Sequence, residues 1–228
     1  MATMIKAVIL DFDDTLCLTE EICFNLENEV LAKMGRPPID RKIHLKTWGK
    51  PLFEIINTRS PGVDVTEFER LYEGVIRKYI EEGLFDNIPE ENMETLRELA
   101  KQGLYLAVVT TRTEGEVKHL LGGEHPLTEL IRDFYHKDNT KYRKPDPRAF
   151  EEVLTDNKLN PSECVYVGDS LGDAESALGA GMYFIASLES GLRYKADFEK
   201  YDVSAYIYDF PELLGALQKL DKEVGTEL

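Results

Sequence analysis

Four stretches of the 228-residue chain place carboxylates, hydroxyls and a lysine where they could do chemistry: Asp11 and Asp13, Thr110 and Thr111, Lys144, and Asp169 with Asp173. Converging carboxylates repel one another and lose hydration. They are tolerated together around a hard cation, and an oxygen-only ligand set favours magnesium over zinc. Four carboxylates, one divalent cation and the Lys144 ammonium sum to −1, which still repels a dianionic phosphate; protonating one carboxylate brings the total to zero. Two aspartates separated by one residue can divide the work, one free to attack and the other kept protonated near a leaving oxygen.

The elements that must position these groups are legible as alternating patterns. Residues 5–10 form an apolar, partly β-branched run stopped by Asp11-Phe12-Asp13-Asp14-Thr15, as expected of a buried strand that ends in a polar loop. Similar runs occupy residues 104–110, 164–167, 182–186 and 206–208. Helical periodicity marks 91–102, 114–121, 147–157, 173–180 and 211–222. This alternation predicts right-handed crossovers, a parallel sheet with helices on both faces, and ligand binding at the carboxyl ends of the strands. Asp146 is a good N-cap with Pro147 at the first helical position, so the following helix begins at a defined place and holds Lys144 just outside it. Residues 20–33, 51–58 and 65–82 read as helices with no strand between them, a helical insertion after the first strand. The charged, Gly-interrupted tail at 219–228 is expected to fray.

Composition narrows the function. Lys plus Arg number 27 and Asp plus Glu 43, a formal charge of −16, which argues against nucleic-acid or anionic-membrane binding as the main activity. The 43% hydrophobic content supports a folded core, and no apolar run approaches the roughly 18 to 20 residues needed to span a bilayer. A cytoplasmic location is the default expectation, as is a monomer. Cys17, Cys23 and Cys164 have neither an even count nor CxxC spacing, so they read as reduced packing residues. His44, His119, His125 and His136 show no ligand spacing and read as surface or satisfied residues.

Asp11-Phe12-Asp13-Asp14-Thr15, the strand end at Thr110, Lys144-Pro145, and Gly168-Asp169-Ser170-Leu171-Gly172-Asp173 resemble, in order, spacing and strand context, the four motifs of the haloacid dehalogenase superfamily. The likeness covers residues 1–18 and 88 to about 215. The insertion is similar to that superfamily's first-type cap, as in phosphoglycolate-phosphatase-like and β-phosphoglucomutase-like members. The resemblance implies an α/β fold with a doubly wound, Rossmann-like parallel-sheet core formed by residues 1–18 and 88–228, and an α-helical cap at 19–87. It also implies that Asp11 is the nucleophile of an aspartyl-phosphate mechanism and that Asp13 protonates the leaving alcohol and then activates water. Thr110 would hydrogen-bond a phosphoryl oxygen, and Lys144 would neutralise the nucleophile and the transferring group. Mg²⁺ would be held by Asp11, the backbone carbonyl of Asp13, and Asp169, with Asp173 bound directly or through water. Thr111 stands where related phosphatases often place an asparagine near the phosphate. Trp48-Gly49-Lys50-Pro51 resembles the substrate-specificity loop of capped relatives, so Lys50 joins Thr111 as a substrate-binding candidate. Asp14 departs from the pattern, because many relatives have glycine there.

The expected activity is Mg²⁺-dependent hydrolysis of a small phosphorylated metabolite, a sugar phosphate or phosphoglycolate. A β-phosphoglucomutase-like phosphomutase would share every core residue and differ only in products. A non-enzymatic phospho-switch similar to response-regulator receivers is the alternative from another class, although receivers are shorter, place the phosphorylated aspartate after a middle strand, and lack an insertion.

Overall fold

The computed structural model describes residues 5–123 and 125–224. In chain order the elements are β1 (Ala7–Leu10), α1 (Glu20–Lys33), α2 (Arg41–Thr47), α3 (Leu52–Arg59), α4 (Val65–Glu81), α5 (Glu90–Lys101), β2 (Tyr105–Val109), α6 (Glu114–Val117), β3 (Asp133–Tyr135), α7 (Glu151–Asp156), β4 (Cys164–Gly168), α8 (Leu171–Gly179), β5 (Tyr183–Ser187), β6 (Ala205–Ile207) and α9 (Glu212–Val224). They form two compact units, one of Met1–Cys17 with Ile88–Leu228 and one of Leu18–Asn87. None of the described helices is long and apolar enough to cross a membrane.

The first unit carries a six-stranded, all-parallel sheet in the order β3-β2-β1-β4-β5-β6. Strand alternation sends Val8 and Leu10 to one face, where they pack with Leu106, Val108, Val165 and Val167 against α5 and α9. Ala7 and Ile9 go to the other face, with Ala107, Val109 and Tyr166, and meet Val153 of α7 and Ala174 and Ala177 of α8. Both faces are covered, which is why these strands read as continuous apolar runs rather than alternating ones. The chain order reverses between β1 and its neighbours, so the crevice at the carboxyl ends of β1 and β4 is the topological switch point. Register fixes what stands there: Leu10 is level with Val108 and Val167, so Asp11, Val109 and Gly168 come next in line.

The helical unit has its own core, with Leu26, Val30 and Leu31 of α1 packing on Ile56 of α3 and Phe68, Val75 and Ile76 of α4. Asp40 caps α2 by accepting from the Lys42 and Ile43 amides, and Asp64 caps α4 through Glu67 N.

Several boundaries differ from expectation. The helix expected over 114–121 stops at Val117. The one expected over 147–157 begins as a 3₁₀ turn, Pro147–Phe150, before α7, although Asp146 caps it as anticipated. Strand β3 and helix α2 are additional, and α9 stays helical through Val224, into the segment expected to fray; the remainder of that segment lies outside the described residues. None of the three cysteines is in a disulfide.

Candidate active site

Each site residue owes its place to a strand end or a helix start. Asp11 follows β1, and its amide donates to Val167 O of β4 at 2.8 Å, which holds the loop across the switch point. Its Oδ1 accepts from Phe12 N at 2.8 Å and from Lys144 Nζ at 2.8 Å. The chain then turns through Asp14, whose φ of +54° is left-handed. Aspartate tolerates that region better than most residues and glycine tolerates it best. Asp14 is buried.

Asp173 lies in the first turn of α8 and forms a reciprocal cap: Ser170 Oγ accepts from Asp173 N at 3.1 Å, and Asp173 Oδ2 accepts from Ser170 N at 2.9 Å and Ser170 Oγ at 2.6 Å. Gly168 makes room for it, since a Cβ there would lie 2.6 Å from Asp173 Cγ. The other oxygen, Oδ1, takes Lys144 Nζ at 2.7 Å and the Tyr166 hydroxyl at 3.2 Å. Lys144 also donates to Tyr166 Oη at 2.7 Å, and its side chain is only 7% exposed. The lysine ammonium is therefore fixed by three oxygens. Its peptide bond to Pro145 is cis.

Asp11, Asp169 and Asp173 are all buried, and one carboxylate oxygen from each lies within 4.8 Å of the others. Burial first, and then the neighbouring Asp173 charge, push the Asp11 carboxyl up to about 8. Asp169 is driven well above the ordinary carboxylate range by burial, then by Asp173 and Asp14. For Asp173 burial works in the same direction, but the Lys144 ammonium and the Ser170 donors outweigh it and hold the group below its usual value. Burial works to lower the Lys144 ammonium, yet Asp11 and Asp173 overcome it and raise the group above its ordinary value. One lysine thus answers one buried aspartate, and two more carboxylates remain short of positive charge. An all-oxygen, buried and charge-deficient set fits a hard divalent cation.

Asp13 keeps its side chain out of this cluster. Its Oδ1 accepts from Arg112 Nη2 at 2.7 Å and from Nε at 3.1 Å, and Oδ2 shares Nε at 3.1 Å. Arg112 carries a positive charge outside the count of four carboxylates, a divalent cation and Lys144. Adding its positive charge and the buried Asp14 carboxylate leaves that count at −1. Thr110 is buried at the end of β2, where its amide donates to Tyr135 O at 2.9 Å and its Oγ1 accepts from Arg112 N at 3.2 Å. That hydroxyl keeps its proton to donate. Thr111 is exposed beside it, and Lys50 is exposed within the helical unit.

Two members of the site escaped the sequence reading. Arg112 lies in the polar stretch directly after β2, the kind of position that the strand-end rule marks. Tyr166 is an inward strand residue whose hydroxyl gives no period signal. Its phenol is held far above its ordinary pKa, by burial first and then by Asp11 and Asp173.

A family model described as haloacid dehalogenase-like hydrolase matches residues 8–187. The chain is 28% identical over 226 residues to the phosphoglycolate phosphatase of Pseudomonas syringae pv. tomato, covering 96% of this chain and 82% of that protein. It superposes with a TM-score of 0.74 and 24% identity on a mutant of CbbY from Rhodobacter sphaeroides in complex with xylulose-1,5-bisphosphate, covering 93% of this chain and 99% of that one. A HAD-superfamily hydrolase, subfamily IA, variant 1, from Geobacter sulfurreducens PCA superposes with a TM-score of 0.70 and 23% identity, covering 95% and 98%. At these identities the two structural likenesses establish a shared fold.

Proposed function

This chain belongs to the haloacid dehalogenase-like hydrolases and is a phosphatase, and from that premise we propose that it hydrolyses a small phosphomonoester, of the sugar phosphate or phosphoglycolate kind, through an aspartyl-phosphate on Asp11 with the aid of Mg²⁺. The observation that carries the reading is the buried, charge-deficient cluster of Asp11, Asp169 and Asp173 around a single lysine at the sheet's switch point. The curated relative is a phosphoglycolate phosphatase, and the CbbY complex holds a sugar bisphosphate.

Asp11 and Asp169, with the backbone carbonyl of Asp13, would hold Mg²⁺. Asp173 would act through water, because Lys144, Tyr166 and Ser170 already engage both of its oxygens. Bound there, the ion would neutralise the carboxylates and draw charge from the transferring phosphoryl oxygens. Asp11 Oδ1 is anchored by Phe12 N and Lys144. Its Oδ2 forms a bond to phosphorus as the ester P–O bond breaks and Asp13 gives a proton to the departing alkoxide. In the second half Asp13 takes a proton from water, the water oxygen bonds to phosphorus, and the Asp11–phosphorus bond breaks, releasing phosphate and returning Asp13 to its protonated form. Thr110 Oγ1 donates to a phosphoryl oxygen and Lys144 offsets the charge that builds on it. Selectivity for the leaving group is assigned to Thr111 and to the helical unit, with Lys50 among its candidates.

The test is phosphate release from p-nitrophenyl phosphate, phosphoglycolate and a panel of sugar phosphates, in Mg²⁺ or in EDTA. Release is expected to need Mg²⁺ and to differ among esters. A folded protein that releases phosphate from no ester contradicts the reading. One that interconverts sugar phosphates without releasing phosphate is a mutase.

A further inference from the structure

Arg112 ties together two loops that the proposed chemistry uses. Its amide donates to Thr110 Oγ1 at 3.2 Å, its guanidinium grips Asp13 in the loop after β1, and the same guanidinium lies over the Phe12 ring with Cζ 4.6 Å from the centroid. The Arg112 side chain is 5% exposed and that of Asp13 is 29% exposed, so the anchor is buried and the carboxylate it holds is open on one side. The grip is uneven. Oδ1 receives two N–H donors, the shorter at 2.7 Å, whereas Oδ2 has only a share of Nε at 3.1 Å. A side-on guanidinium fixes the plane of a carboxylate as well as its distance, which an ammonium cannot do.

We propose that Arg112 is the positioning residue for Asp13, holding Oδ1 so that Oδ2 is aimed at the proton it must give to the leaving alkoxide and later take from water. The bonds to Oδ1 survive both halves of the cycle, because the oxygen that accepts them keeps its lone pairs whether or not Oδ2 carries a proton. Arg112 acts through Asp13 and Thr110 and touches no reacting atom. The inference rests on the phosphatase reading above.

Its signature is selective. p-Nitrophenolate leaves without help from an acid, so formation of the phosphoenzyme from this ester does not depend on Asp13, whereas attack by water does. Arg112→Met keeps an apolar side chain over Phe12 and removes the guanidinium. This variant is expected to retain a stoichiometric p-nitrophenolate burst while kcat falls by about tenfold or more and KM falls with it, leaving kcat/KM for this ester near the wild-type value. Millimolar guanidinium should restore part of the turnover. Adding Arg112→Met to Asp13→Asn should cause no further loss, since the two act as one unit. Arg112→Lys, which keeps the charge and most of the packing, serves as the second variant should Arg112→Met fold poorly, and it too should lower turnover while sparing the burst.

Burst and turnover falling together, turnover unchanged, or a full further loss in the Asp13→Asn background would each overturn the proposal. Wild-type protein that releases no phosphate contradicts the phosphatase reading. Wild-type turnover with an unaffected Arg112 variant contradicts only the positioning role.

Discussion

Both units of the protein bury carboxylates, and they differ in how that charge is answered. In the helical unit Glu20 accepts from Arg41 at 2.7 and 2.5 Å and lies 2.6 Å from His44 Nδ1. Glu27 accepts from Arg59 at 2.5 and 2.6 Å and lies 3.4 Å from His44 Nε2, and Arg59 Nε donates to Thr47 Oγ1 at 2.9 Å. Two carboxylates meet two guanidiniums and an imidazole, and each charge is paired and hydrogen-bonded as a buried charge must be. In the α/β unit Asp11, Asp169 and Asp173 meet one ammonium. The first arrangement is complete as a structure. The second is left short of positive charge, and perturbed groups of this kind mark functional sites.

Removing the cation from each network should separate the two most strongly. Lys144→Met leaves Asp11 and Asp173 buried without their partner, and Arg59→Met does the same to Glu27. Each is expected to cost about 3–5 kcal/mol of stability, read from denaturant melts. Only Lys144→Met should also abolish phosphate release. Arg59→Met should leave Mg²⁺ affinity, measured by calorimetry on protein that remains folded, at the wild-type value. Equal loss of phosphate release in both would erase the distinction between the networks.

Acidity sharpens the contrast. Asp11 and Asp169 sit above the ordinary aspartate value near 4 when folded. From that pH up toward about 8 for Asp11, the folded state holds protons that the unfolded state has released, so stability in EDTA should fall as pH rises across this window. On the proposed reading Mg²⁺ would replace those protons, so the gain in Tm on adding Mg²⁺ should be greater at pH 8 than at pH 5. His44 contributes a fall in the same direction: burial works to lower its pKa, but Glu20 and Glu27 outweigh that and raise it, so its stabilisation is full below about 6.5 and is lost as pH climbs through the folded value. Asp169→Asn should remove the share that Asp169 adds and the gain in Tm with Mg²⁺, and leave the Asp11 and His44 parts. A Tm in EDTA that climbs from pH 5 to pH 8 contradicts the assignment.

The smallest expected effect belongs to Tyr166. Tyr166→Phe keeps the ring against Phe150, 4.8 Å away edge-on, and deletes one acceptor of Lys144. A loss of about 0.5–1.5 kcal/mol and a few-fold drop in kcat are expected, with KM steady. A drop as large as that of Lys144→Met would place the phenol in the chemistry itself.

Much of this is legible in the sequence. Asp11, Thr110 and Asp169 each close an apolar run, and a run buried on both faces is conspicuous in sequence. Lys144 and Asp173 were readable from their place beside a capped turn and a helix start. Strand β3 was not, because it is three residues long, half-buried, and opens with an aspartate. Helix α2 was hidden by a polar composition, Arg-Lys-Ile-His-Leu-Lys-Thr, whose stability comes from Asp40 and from the buried ion network instead of an apolar face. The Arg112–Asp13 pair spans 99 positions and joins two loops, a relation that no local pattern carries.

The central claim, that Asp11 takes the phosphoryl group, is tested most directly by acid-quenching Asp13→Asn with p-nitrophenyl phosphate and Mg²⁺ and locating the label by mass spectrometry. The account predicts a stoichiometric phosphoryl group on the peptide bearing Asp11, absent in EDTA and absent when Asp11→Asn is added. A label on another residue, or none at all when the wild-type enzyme turns the same ester over, would contradict it.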